Sequence, residues 1–139
     1  MPEWLEPMDH TADVGFVVTA RGLEELFARA AWAMFSVITD VDTVLQRERV
    51  AVSVEADDRV DLMRQWLSDL NYRHLTERRL FSGFDVKSAD DHRLSAQVCG
   101  EAIDLSRHPL HAEIKAVTFH GLEVRQSKGV WEARVLFDV

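Results

Sequence analysis

Apolar residues recur along this chain at two spacings, and the switches between them outline the elements. Phe16 to Ala20 reads as a strand, Arg21-Gly22 breaks it, and Leu23, Leu26, Phe27, Ala30, Ala31, Met34 and Ile38 then recur at helical spacing. Glu24 and Glu25 stand where a helix N-terminus favours negative charge. Val50, Val52 and Val54 alternate with Ala51, Ser53 and Glu55, so Val50 to Glu55 is expected to turn one face inward. Asp57 or Asp58 is a candidate N-cap for a second helix, which carries Val60, Met63, Leu67, Leu70 and His74 on one stripe with Trp66 beside it and runs to about Glu77. Further strands are expected at Phe81 to Val86, Arg93 to Cys99, Ile114 to Phe119, Leu122 to Gln126 and Val130 to Val139. Ser127-Lys128-Gly129 is a hairpin connection between the last two. In the final strand Trp131, Ala133, Val135, Phe137 and Val139 share one face, and Glu132, Arg134, Leu136 and Asp138 share the other. The pattern contains no repeat, low-complexity tract or Pro/Gly linker, so one continuous α+β unit is expected over residues 1–139.

Composition narrows the class. A 139-residue chain with 47% hydrophobic and 29% charged residues has the balance of a soluble globular domain. No stretch approaches the ~20 apolar residues of a membrane-spanning helix. Met1-Pro2-Glu3-Trp4 lacks the basic start and apolar core of a secretory signal, and a lone Cys99 suits a reducing compartment, so the cytoplasm is the expected location. Net charge is −8, which repels nucleic acid at long range and disfavours direct RNA binding. The one basic cluster, Arg73, Arg78 and Arg79 around His74, suits an acidic partner or phosphate, but Glu77 interrupts it and a solvated helix end is the simpler expectation.

Candidate chemistry concentrates at the two ends. Asp9-His10-Thr11-Ala12-Asp13 opens the chain and Asp138 stands beside Val139 at its close; should these ends lie in neighbouring strands, their hard carboxylate oxygens suit a divalent cation. Taken singly, Asp13 reads more simply as a turn or capping residue and Asp138 as a solvated strand end. Asp9 is expected to accept backbone N–H bonds in the opening turn, and His10 to pack its ring. His108 and His111 form a His-x-x-His pair, but Pro109 disfavours the helical geometry zinc would need. Asp104, Ser106 and His108 are residue types of a hydrolase triad without a Gly-x-Ser-x-Gly elbow. There is no Gly-x-x-x-x-Gly-Lys-Ser/Thr phosphate loop. Trp4, Trp32, Trp66 and Trp131 are expected in the core or an interface.

Asp9-His10-Thr11-Ala12-Asp13-Val14-Gly15, Gly100-Glu101, Ile114-Lys115-Ala116-Val117-Thr118-Phe119-His120 and Leu136-Phe137-Asp138-Val139, taken in this order, resemble the archease family over nearly the whole chain. The resemblance implies a single-domain α+β fold, mainly antiparallel sheets with two principal helices. It implies a protein that is not itself a catalyst but a cofactor of the GTP-dependent RNA ligase that joins 3′-phosphate to 5′-hydroxyl ends in tRNA splicing and RNA repair. Such a protein promotes guanylylation of the ligase and its repeated turnover. The RNA is then met only through the ligase. By the same resemblance Asp13 and Asp138 bind a divalent metal, with Val139 adding an oxygen from the chain end; Asp9 and His10 are candidates for the shell around those ligands. Calcium is the implied ion, with magnesium or manganese as alternatives. Lys115 matches the family's lysine and is expected to contact phosphate or a partner's acidic group; Arg107 is a second basic candidate. The alternatives are a metal-dependent phosphohydrolase or nuclease using the same carboxylates to activate water, and a chaperone of an RNA-modifying enzyme.

Overall fold

The computed structural model describes residues 2–9 and 13–139, without the side chains of Asp9 and Asp13. His10 lies outside the described residues. Strands β1 (Leu5–Asp9) and β2 (Asp13–Ala20) pair antiparallel and lead into helix α1 (Leu23–Ile38). A short 3-10 turn (Val41–Thr43) and β3 (Glu48–Glu55) precede helix α2 (Arg59–Glu77). Then come β4 (Arg79–Ala89), β5 (Arg93–Ala102), the two-residue β6 (Ala116–Val117), β7 (Glu123–Ser127) and β8 (Val130–Asp138). Among the described residues these strands form two antiparallel sheets, one of five strands in which β8 pairs with β2 on one side and with β6 and β7 on the other, and one of three in the order β3-β5-β4.

Helix α1 packs on both sheets, which explains why its buried set, Leu26, Phe27, Ala30, Ala31, Ala33, Met34, Phe35 and Ile38, is wider than a single stripe. Alanines allow close approach, while Phe35 stacks on Phe84 and meets Phe81 edge-on. Asp58 caps α2, its carboxylate accepting the Asp61 N–H at 2.8 Å. Trp66 ties the helices together: its buried indole donates to the Phe27 carbonyl at 2.9 Å. The inner face of β8, Ala133, Val135 and Phe137, lies beside Phe16 and Val18 of β2 on the same side of the sheet, as the alternation requires.

Three elements depart from the pattern. β1 escapes the alternation rule because Pro7 sits within it, a residue tolerated on an edge strand. β4 runs further than its apolar core, with irregular register at Phe81/Gly83 and Val86/Ser88. Of the strand expected at Ile114 to Phe119, only Ala116–Val117 pairs as one. Leu136 is also buried although it shares a face with exposed Arg134 and Asp138. A Cβ on the facing Gly15 would meet its Cδ2 at 2.4 Å, and one on Gly121 its Cδ1 at 3.0 Å, so the turn around Gly121 folds over this part of the outer face.

Candidate functional site

The two ends of the chain meet in the five-stranded sheet. Asp13 of β2 is in register with Asp138 of β8, and Ala116 of β6 is in register with Asp138 from the other side. The Lys115 N–H donates to the Asp138 carbonyl at 2.7 Å. Residues directly opposed in an antiparallel pair share a face with Cβ atoms roughly 4.5–5.5 Å apart. Asp138, Val139 and Lys115 are exposed at this sheet end. Among the described residues no three His, Cys, Asp or Glu side chains converge closely enough to hold a metal. The Asp138 carboxylate offers hard oxygen donors open to solvent, the donor type that a calcium-like ion takes.

Lys115 reaches this edge on a segment with little regular structure, so its backbone groups need partners one by one. Thr39 Oγ1 donates to the Pro109 carbonyl at 2.6 Å, and the His111 N–H donates to the Ile38 carbonyl at 2.8 Å, which fastens the segment to the end of α1. Asn71, buried in α2, donates to the Ile114 carbonyl at 2.7 Å. Thr118 N–H then donates to the Leu136 carbonyl at 3.1 Å. These bonds explain why Ile114 to Phe119 is not one continuous strand: its partners lie on α2 as well as on β8.

The segment starts from an anchor that periodicity does not reveal. Glu101, at the end of β5, has a side chain only 5% exposed. Arg107 donates to its two oxygens at 2.6 and 3.2 Å, the Leu45 N–H donates at 2.6 Å, and His108 Nε2 lies 3.0 Å away. Arg47 adds a contact at 3.4 Å. The Arg107 hydrogen bonds, with those from Leu45 and His108, outweigh burial and hold the Glu101 carboxyl down to about 2. The preceding Gly100 is needed because a Cβ there would fall 1.8 Å from the Leu80 carbonyl oxygen. The available signal was the Gly100-Glu101 pair with Arg107-His108 shortly after it.

This cluster also settles the competing motifs. His108 Nδ1 accepts the Asp104 N–H at 2.8 Å, so its proton is on Nε2 and points to Glu101; His111 Nε2 instead meets Asp40 at 2.9 Å. The two imidazoles are thus committed to different partners, against a shared zinc. Ser106 Oγ donates to Asp104 at 2.6 Å, and His108 has no lone pair left to take a proton from it, so the triad is not built. Arg107 is committed to Glu101 and Asp104, whereas Lys115 makes no ion pair among the described residues. Of the two basic candidates, Lys115 is the one beside Asp138.

The chain matches the model of the Archease protein family (MTH1598/TM1083) over residues 5–139. It is 39% identical over 137 residues to protein archease of Methanopyrus kandleri, covering 96% of this chain and 98% of that one. With protein archease of Methanothermobacter thermautotrophicus it shares 42% identity over 137 residues, covering 96% and 97%. Its fold is similar to the solution structure of Methanobacterium thermoautotrophicum protein 1598, with a TM-score of 0.85, 41% identity and coverage of 98% and 99%. The crystal structure of an archease and possible chaperone from Thermotoga maritima aligns with a TM-score of 0.63 at 18% identity, covering 96% of each chain, which is a likeness of fold. No helix among the described residues is long and apolar enough to cross a membrane.

Proposed function

This chain belongs to the archease family, and on that premise we propose that it is a metal-binding activator of the GTP-dependent RNA ligase that joins 3′-phosphate and 5′-hydroxyl ends, acting on the ligase rather than turning over a substrate itself. The observation that carries the reading is the meeting of three backbone segments from distant parts of the chain: Asp13 and Ala116 flank Asp138 in register, and the Lys115 N–H closes on the Asp138 carbonyl. In this reading Asp13, Asp138 and the terminal carboxylate of Val139 hold a divalent cation, calcium before magnesium or manganese, with Asp9 and His10 around them. When bound, the cation supplies concentrated positive charge for phosphate oxygens or a partner's carboxylates.

Lys115 adds a mobile point charge on the same edge, suited to a phosphate or an acidic group of the ligase. Its backbone is held by the Asp138 carbonyl and, one residue earlier, by Asn71, so its Cα is fixed while its exposed ammonium makes no ion pair among the described residues. The net charge of −8 disfavours direct contact with RNA, consistent with a role exercised through the protein partner. The exposed setting implies modest metal affinity in the isolated protein and completion of the coordination sphere by the partner.

The test is guanylylation of the cognate ligase by GTP, with and without this protein, across calcium, magnesium and manganese. Stimulation is expected with the parent protein and lost in Asp13→Ala and Asp138→Ala, whose circular dichroism and melting stay near the parent's. Full stimulation by both variants removes the site assignment. Hydrolysis of RNA ends by the protein alone, abolished in Asp13→Ala, replaces the reading with the metallohydrolase. Protection of the ligase from aggregation without any change in guanylylation replaces it with the chaperone.

A further inference from the structure

A groove of about 400 Å³ lies between the C-terminal turn of α2 and the 103–113 segment. It absorbs what the basic cluster left unexplained. Arg73 is paired with Asp69 at 2.9 Å and approaches Glu77 at 3.9 Å, while Arg79 is paired with Glu48. Arg78 makes no ion pair among the described residues, in a chain with 24 acidic and 16 basic side chains. Its backbone adopts the left-handed conformation at φ 53°, where glycine is the favoured residue at a helix end.

His74 lines the same groove and is 6% exposed. Its Nδ1 lies 2.9 Å from the Arg79 carbonyl, an acceptor only, so the proton is on Nδ1 and Nε2 keeps its lone pair. Nε2 has no hydrogen-bond partner among the described residues. Burial, reinforced by the neighbouring Arg78 charge, lowers the His74 pKa and keeps the ring neutral. Glu113, close enough to oppose that effect, lines the groove and makes no ion pair among the described residues. Leu75 and Leu110, both partly exposed, and Ile103 supply apolar surface.

These groups ask for one kind of ligand. A guanidinium takes an anionic oxygen cluster, an imidazole lone pair takes a hydroxyl or N–H donor, and a carboxylate takes hydroxyl donors. We propose that this groove binds a small sugar phosphate, with the phosphate on Arg78, hydroxyl groups on His74 Nε2 and Glu113, and the carbon skeleton over Leu75 and Leu110. The site is independent of the metal and ligase reading: none of its residues is among Asp13, Lys115, Asp138 and Val139.

The test titrates the full chain with ribose 5-phosphate, with ribose and inorganic phosphate as controls, following the His74 ring resonances and backbone amides by NMR. Ribose 5-phosphate is expected to shift His74 and the amides around Arg78, with each control at least about tenfold weaker, the loss of one charge-assisted contact or of the hydroxyl contacts. Arg78→Gly is the decisive variant, because glycine relieves the left-handed backbone: it should melt no lower than the parent yet bind about tenfold more weakly. Equal binding of inorganic phosphate reduces the site to an adventitious ion only and overturns the proposal. So does unchanged affinity in Arg78→Gly, or the absence of any shift at millimolar ribose 5-phosphate.

Discussion

Replacing Glu101 by glutamine tests whether a single buried charge anchors the segment that delivers Lys115. The substitution keeps the shape of the side chain and removes the charge that faces Arg107, His108 and Arg47. The carboxyl is held at about 2 against an ordinary value of 4.5, which corresponds to about 3 kcal/mol of stability near neutral pH. A carboxyl whose folded pKa is depressed contributes fully above the unfolded value and loses its contribution as pH falls toward the folded one. The same two values leave less than half of that contribution at about pH 3 and little of it at about pH 2. For 139 residues, at roughly 2.1 cal/mol/K of unfolding entropy per residue, the neutral-pH loss is a fall in Tm of about 10 °C. Thermal and urea melts of parent and Glu101→Gln, followed by circular dichroism from neutral pH to about pH 3, measure it. A gap below about 1 kcal/mol near neutral pH, or one as large at about pH 3, would refute the claim that the charge is the anchor.

Gly100→Ala should destabilise by about 3 kcal/mol or more, or fail to fold, because its Cβ would fall 1.8 Å from a backbone oxygen that cannot move aside cheaply. Gly22→Ala, whose Cβ would meet nothing closer than the Glu24 carboxylate at 3.8 Å, should cost under about 1 kcal/mol in the same urea titration. Lys128→Asn should raise stability by up to about 1 kcal/mol, since Lys128 and Gly129 are both left-handed, at φ 53° and 77°, in a two-residue hairpin turn that favours Asn-Gly. A lower melting temperature for that variant would mean the lysine side chain has a partner in the turn.

Short-range pattern determined much of this protein. The spacing of Leu23 to Ile38 sets α1, Asp58 and the stripe from Met63 to His74 set α2, and Lys128-Gly129 between two alternating runs sets the last hairpin. These features are legible because each depends on residues a few positions apart. The resemblance quoted from Asp13, Lys115 and Asp138 named the ends as a site, but no periodicity brings residue 13 to residue 138. That approach is decided by β2 and β8 pairing in one register, which follows from burying Phe16, Val18, Val135 and Phe137 together. Tertiary packing likewise decided that Leu136 is covered while Arg134 is exposed, since Gly15 and Gly121 leave room for it. It also divided the charges: Arg107 went to a buried carboxylate, Arg73 and Arg79 to neighbouring acids, and Arg78 and Lys115 were left facing outward. A charged side chain announces its type in the sequence, but its partner is chosen by distance, and distance exists only once the strands and helices have packed.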